Sequence, residues 1–218
     1  MKRRQFSAAL ATGTVGVASS IANLAQAQGA APVEGKDYLR LSSPLPAPPG
    51  GKIEVIDFFW YGCSHCNAFG PQLDAWAKKL PPDVIYRLVP VAFREEPFVA
   101  HQKIYYALDE MKLSEAMHRR VFAAIHVDRQ RLDKPAEIAA FMTKNGVDGE
   151  KFLEHYNGFS VQTKVRQATQ LAQAYKLDGV PALGIQGRYF TSATLAGSPE
   201  RALAVADYLI QQSRGKAS

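Results

Sequence analysis

The chain has 218 residues, 47% of them hydrophobic and 21% charged, with a formal net charge of +6. This is the composition of a globular protein with material for a sizeable core, which excludes disordered and fibrous classes. Lys2, Arg3 and Arg4 supply three of the six net charges, leaving +3 elsewhere with no basic cluster, so nothing resembles the phosphate-binding footprint of a nucleic-acid binder.

Residues 1–27 read as an export signal. A basic start is followed by a stretch of mostly Ala, Val, Leu, Ile and Gly, and Ala25-Gln26-Ala27 has the small-x-small form of a signal-peptidase site. Thr12, Thr14, Ser19, Ser20 and Asn23 interrupt the stretch, so it falls short of the roughly 18 apolar residues a membrane-spanning helix requires. Arg3-Arg4 leaves the twin-arginine and general secretory routes both open. Residues 28–51, rich in Ala, Gly and Pro and ending LPAPPGG, read as a lead-in segment, with the fold starting near Lys52.

KIEVIDFFW (52–60) is a β-branched and aromatic run of the kind covered on both faces, which predicts a central strand. Phe69, Leu73, Trp76, Ala77 and Leu80 then recur at helical spacing until Pro81-Pro82, and VIYRLVPVAF (84–93) reads as a second strand. From about Phe98 to Asn157 the period is helical throughout, with Gly146 and Gly158 as stops. Ser160 is the expected N-cap of a further helix that ends near Asp178-Gly179. Residues 181–193 read as a hairpin around Gln186-Gly187, and Ser198-Pro199-Glu200 opens a last helix with a cap, a first-turn proline and an acid. The order βαβ, helical block, α, ββ, α describes an α/β protein divided into 52–97, an inserted all-helical domain 98–159, and 160–213.

Cys63 and Cys66 are the only cysteines, and three uses compete for them. Two thiolates are half of a tetrahedral zinc shell, and His65, His101, His118, His126 and His155 show no H-x3–5-H spacing to supply the rest. A structural disulfide across so small a ring would remove little entropy from the unfolded chain. The redox use exploits the position: Cys63 stands between a strand and a helix mouth, where unpaired N–H groups and the dipole favour a thiolate. Cys63 is then the exposed attacking thiol and Cys66, one turn in, the resolving one. His65 between them would add to the stabilisation as an imidazolium or oriented donor, or stand there as an exposed histidine without consequence.

FFWYGCSHCNAF together with the element order resembles the thioredoxin superfamily, and within it the DsbA family, over roughly residues 36–213. The resemblance implies a thioredoxin-like fold whose helical insertion is residues 98–159. It implies that GVPAL (179–183) carries a cis-proline loop, in which Val180 and Pro181 let a substrate backbone pair alongside; a trans-proline opening a strand is the plain alternative. It makes Asp57 the buried acid behind Cys66, with a raised pKa and a part in moving the proton of Cys66, unless it lies on a solvated face. Ser64 departs from the family, whose best-known members have proline there.

The function so implied is a periplasmic thiol:disulfide oxidoreductase that introduces disulfides into reduced exported proteins. It uses no cofactor beyond the Cys63–Cys66 pair, binds no metal, works as a monomer, and is reoxidised by a membrane quinone-linked oxidase of the DsbB type. The alternatives are an isomerase or reductase of the same fold, and a non-catalytic peptide-binding chaperone built on the surface around Val180 and Pro181.

Overall fold

A computed structural model describes residues 31–214; the signal segment read at 1–27 lies outside them. The elements run β1 (Leu39–Arg40), β2 (Ile53–Phe59), α1 (Ser64–Ala77), β3 (Val84–Pro90), then α2 (Phe98–Glu110), α3 (Ser114–His126), α4 (Pro135–Lys144) and α5 (Gly149–Asn157). They close with α6 (Phe159–Ala174), β4 (Ala182–Ile185), β5 (Tyr189–Thr191), α7 (Ala193–Ala196) and α8 (Pro199–Arg214). The five strands form one mixed sheet ordered β1-β5-β4-β2-β3, in which β2 and β3 are parallel and the other pairings antiparallel.

Strand β2 is central, as its uninterrupted apolar run implies, and its alternation sends side chains into two cores. Ile53 and Val55 pack with Leu73 of α1 and Val205 and Leu209 of α8, while Ile56 and Phe58 pack with Ala168 and Ala172 of α6. The helical insertion has its own core of Ile104, Leu108, Val121, Ile138, Met142 and Phe152, and this core continues into Phe59, Tyr61 and Cys66. The C-x-x-C segment therefore sits on the seam where sheet and insertion share buried side chains.

Three expectations are corrected. The segment 28–51 is not merely a lead-in: β1 is an edge strand paired with β5, and Asp37, Tyr38 and Leu41 are buried. Thr191 donates its hydroxyl to the Asp37 carbonyl at 2.7 Å, fixing this stretch to β5. Ser160 is not a cap, because Gly158, in extended backbone, serves as both the C-cap of α5 and the N-cap of α6. Helix α6 stops at Ala174 rather than near Gly179, since Lys176 adopts φ 54° and the N–H groups of Lys176 and Leu177 return to the carbonyls of Gln173 and Ala172. The short helix α7, capped by the Ser192 hydroxyl, has too few residues to show a period.

The turn between β4 and β5 has positive φ at both Gln186 and Gly187, the mirror-type turn that matches strand twist. Gly184 is required for a different reason: a Cβ there would stand 2.6 Å from the Tyr175 ring and 2.9 Å from the Phe58 ring. Both rings are fully buried, so neither can swing aside cheaply. Gly184→Ala is expected to cost about 1–3 kcal/mol by overpacking. Urea unfolding checks this, and an unchanged midpoint would contradict the packing argument.

Candidate active site

Helix α1 begins directly after Cys63, and that residue is its N-cap: the backbone N–H of Cys66 donates to the Cys63 sulfur at 3.3 Å. A sulfur thus occupies the place usually held by a serine or aspartate oxygen, and an anion there satisfies an orphan donor at the positive end of the helix. Cys63 is half-buried and Cys66 is 3% exposed; both are free thiols.

These surroundings pull the two thiols apart. The Cys63 thiol is lowered from 9.0 to about 6, chiefly by the hydrogen bond from the Cys66 thiol, then by the backbone N–H groups of Cys66 and His65 and by the charge of His65, against the opposing effect of burial. As a neutral thiol, Cys63 donates instead to the Val180 carbonyl at 3.4 Å, which tempers the preference for the anion. Cys66 moves the other way: burial first, then the neighbouring Cys63 sulfur, pushes its thiol far up. The exposed sulfur is the stable anion and the buried one holds its proton.

His65 lies exposed in the first turn of α1, its N–H directed to the Cys63 sulfur. The Val180–Pro181 bond is cis, and these residues face α1 across an open groove of about 230 Å³ that His65, Phe69, Thr194 and Pro199 also line. The loop therefore lies beside the cysteines with its backbone facing Cys63.

Asp57 faces the α1 side of the sheet, behind Cys66, and is 4% exposed, not solvated. The Tyr86 hydroxyl donates to its Oδ2 at 2.8 Å, while Oδ1 is buried without a partner among the described residues. Burial raises this carboxyl from 3.8 to about 6, against the opposing effects of the Tyr86 hydrogen bond and Arg119.

Four neighbours carry no signal in the sequence because they come from β3, the β2–α1 turn and α3, far apart along the chain. Tyr61 is fully buried, its hydroxyl 3.1 Å from His118 Nδ1 and its carbonyl 2.8 Å from His126 Nε2. Burial, assisted by Arg119, lowers His118 to about 4, so it is neutral at physiological pH. Arg119 donates to Asp74 at 2.9 Å. Its guanidinium lies in the space a Cβ at Gly70 would fill, so Gly70 makes room for the ion pair. Tyr86, the fourth, faces Asp57 from β3.

A C-x-x-C pair split in this way, at the first turn of the helix after a central strand and opposite a cis-proline loop, defines a thiol:disulfide oxidoreductase of the thioredoxin fold. A family model of the DSBA-like thioredoxin domain matches residues 54–201. The chain is 43% identical over 196 residues to the thiol:disulfide interchange protein DsbA of Burkholderia cepacia, covering 89% of this chain and 92% of that protein. It is 42% identical to the Pseudomonas aeruginosa protein of the same name, covering 84% and 86%. The crystal structure of P. aeruginosa DsbA matches with a TM-score of 0.81 and 42% identity, covering 85% of this chain and 96% of that one. Xylella fastidiosa DsbA matches at 0.79 and 31% identity, over 84% and 98%. The chain belongs to the DsbA-like thioredoxin family and is a thiol:disulfide interchange protein. The resemblance carried by the active-site segment is borne out, and the isomerase, reductase and chaperone alternatives are not favoured.

The buried acid yields a stability prediction. A carboxyl near 6 in the fold and near 3.8 when exposed binds its proton more tightly in the native state. The resulting destabilisation is absent below about pH 4, develops as the pH rises, and is complete above about 6. Asp57→Asn is therefore expected to stabilise the protein by about 1–3 kcal/mol at about pH 7.5, with the gain shrinking towards zero near pH 4. Urea unfolding at both pH values checks the sign, and equal gains at the two would contradict burial of an ionising group.

Proposed function

We propose that the protein is the oxidising member of a disulfide relay, donating the Cys63–Cys66 disulfide to reduced exported proteins. The observation that carries this reading is the Cys63 sulfur capping α1 with its thiol lowered to about 6. A thiolate stabilised in this way favours the reduced protein, so the disulfide form is an oxidant, and Cys63 is a good leaving group.

A client thiolate attacks the Cys63 sulfur, the more exposed of the pair. A client–Cys63 bond forms, the Cys63–Cys66 bond breaks, and Cys66 takes the electron pair and a proton. A second client thiolate then attacks the client sulfur of the mixed disulfide, closing the client's own disulfide and expelling Cys63 as the thiolate. Two electrons and two protons leave the client; the protein retains the electrons as two reduced sulfurs and needs no cofactor beyond the cysteine pair. His65 adds an N–H and a charge to the Cys63 anion. Asp57 acts as the proton store of Cys66. The client backbone lies along Val180 and Pro181 as an added strand, with its side chains in the adjoining groove.

The oxidant and location follow from the same reading. The product is a stable dithiol, so turnover requires a stronger oxidant, and a membrane quinone-linked oxidase of the DsbB type supplies that role. Residues 1–27 direct the chain to the periplasm, where reduced exported proteins are met, and the protein acts there as a monomer.

Equilibration with reduced and oxidised glutathione tests the direction: the pair is expected to remain mostly dithiol unless the oxidised form is in clear excess. A strongly reducing equilibrium would overturn the oxidase reading. Cys63→Ala is expected to lower the oxidation rate of a reduced model protein by at least about a thousandfold. Cys66→Ala should instead accumulate a Cys63–glutathione mixed disulfide visible by mass spectrometry.

A further inference from the structure

Cys66 must gain or lose a proton each time the disulfide opens or closes, yet its sulfur is enclosed. Beside it lies a small cavity of about 10 Å³, lined by Asp57, Cys66, Leu73, His118, Arg119 and Pro181 among others. That is about the space one water molecule needs, and a water is held in such a space where polar groups face it. One of them is Asp57, whose fully buried Oδ1 has no partner among the described residues.

The other oxygen of Asp57 faces a different space. Tyr86 donates to Oδ2 at 2.8 Å, and Tyr86 also lines an open groove of about 530 Å³ with Asp74, Lys78, Ser114 and Glu115. His118 and Arg119 line both the small cavity and the groove, so they stand between them. Among the described residues, Tyr86 both bonds Asp57 through its hydroxyl and lines the groove.

We propose that Tyr86 is the solvent-side link of a proton path to Cys66, running from groove water through the Tyr86 hydroxyl, Asp57 and a single cavity water to the sulfur. The inference rests on the oxidoreductase reading and deepens it.

The groups facing Asp57 divide the work. From α1 come Cys66 and Asp74, from β3 Tyr86, from α3 His118 and Arg119, and from α2 Tyr105 at longer range. His118 is lowered to about 4 and has Nδ1 engaged with Tyr61, so it does not store the proton. Tyr86 is raised, chiefly by burial and by the Asp57 carboxylate, so it passes a proton on in concert without ionising. Asp57, near 6, both accepts and returns a proton around neutral pH. When the reduced protein is oxidised, Cys66 gives its proton through the cavity water to Asp57. Its sulfur attacks Cys63, and the group bonded to Cys63 departs as a thiolate. Asp57 then discharges through Tyr86 to the groove.

The test isolates that step. Reduced protein is mixed with oxidised glutathione, and release of the second glutathione from the Cys63 mixed disulfide is followed across pH. In the unaltered protein the rate is expected to rise through an inflection near 6 and to fall by about twofold or more in D2O. Tyr86→Phe keeps the ring that packs edge-on to Trp76. It is expected to slow release about tenfold and to move the inflection upward, because Asp57 loses its hydrogen-bond donor. Tyr86→Ala opens the groove to Asp57, so water replaces the hydroxyl and release is expected to be faster than in Tyr86→Phe. A purely structural role would reverse that order. The proposal is overturned if Tyr86→Phe stays within about twofold with its inflection unmoved, if Tyr86→Ala is the slower variant, or if the unaltered protein shows no isotope effect. Failure of the unaltered protein to release the second glutathione at all would instead refute the oxidoreductase reading.

Discussion

The site depends on one physical effect, the stabilisation of the Cys63 sulfur as an anion by the donors that converge on it, among them the backbone N–H of Cys66 at the mouth of α1. Every helix leaves donors unpaired at its first turn, and here the group that answers one of them is a thiol poised to ionise. The cap thereby couples the start of α1 to the charge state of the reacting atom. Because it strengthens as the sulfur becomes anionic, it stabilises the product of disulfide opening more than the disulfide itself. The Cys66 thiol donates to the same sulfur and adds the largest share, so the two cysteines support each other only when reduced.

The direction of this effect on stability follows from linkage. A thiol near 6 in the fold and near 9.0 when exposed contributes its full stabilisation above about pH 9, and that contribution is lost as the pH falls through about 6. For a half-exposed sulfur, solvent screening leaves at most a few kcal/mol. That suffices to set the poise of the pair, since about 1.4 kcal/mol is a tenfold change in equilibrium. The reverse treatment of Cys66 is the complement: the helix-mouth sulfur is eased into charge while its partner one turn on is denied it. Between the two lies the difference in exposure that decides which sulfur a client can reach.

Much of this was legible in the sequence because it is local. The β2 run, the helical block, the hairpin at Gln186-Gly187 and the Ser198 cap all follow from periods and turn chemistry confined to a few residues, and the Ser198 hydroxyl does receive the Arg201 N–H at 3.1 Å. Asp57 is pointed to by the family resemblance, and the cost of burying a carboxylate in an apolar strand gives that position its physical reason. What the sequence concealed is carried across distance. Strand β1 has two residues and gains its place only from β5. Gly158 ended one helix and began the next, an economy that Ser160 masked by being the better cap by type. Tyr61, Tyr86, His118 and Arg119 gather around Asp57 and Cys66 from elements whose contacts with one another no local pattern encodes.

The central claim concerns the charge of a single sulfur, and it is measured most directly by titrating the thiolate absorbance of the reduced protein in the ultraviolet, with Cys66 replaced by Ser so that only Cys63 absorbs and a hydroxyl still donates to it. The account predicts a midpoint well below 9.0, towards 6, that rises when the helix is unfolded in urea. A midpoint at the ordinary thiol value, unmoved by unfolding, would contradict it.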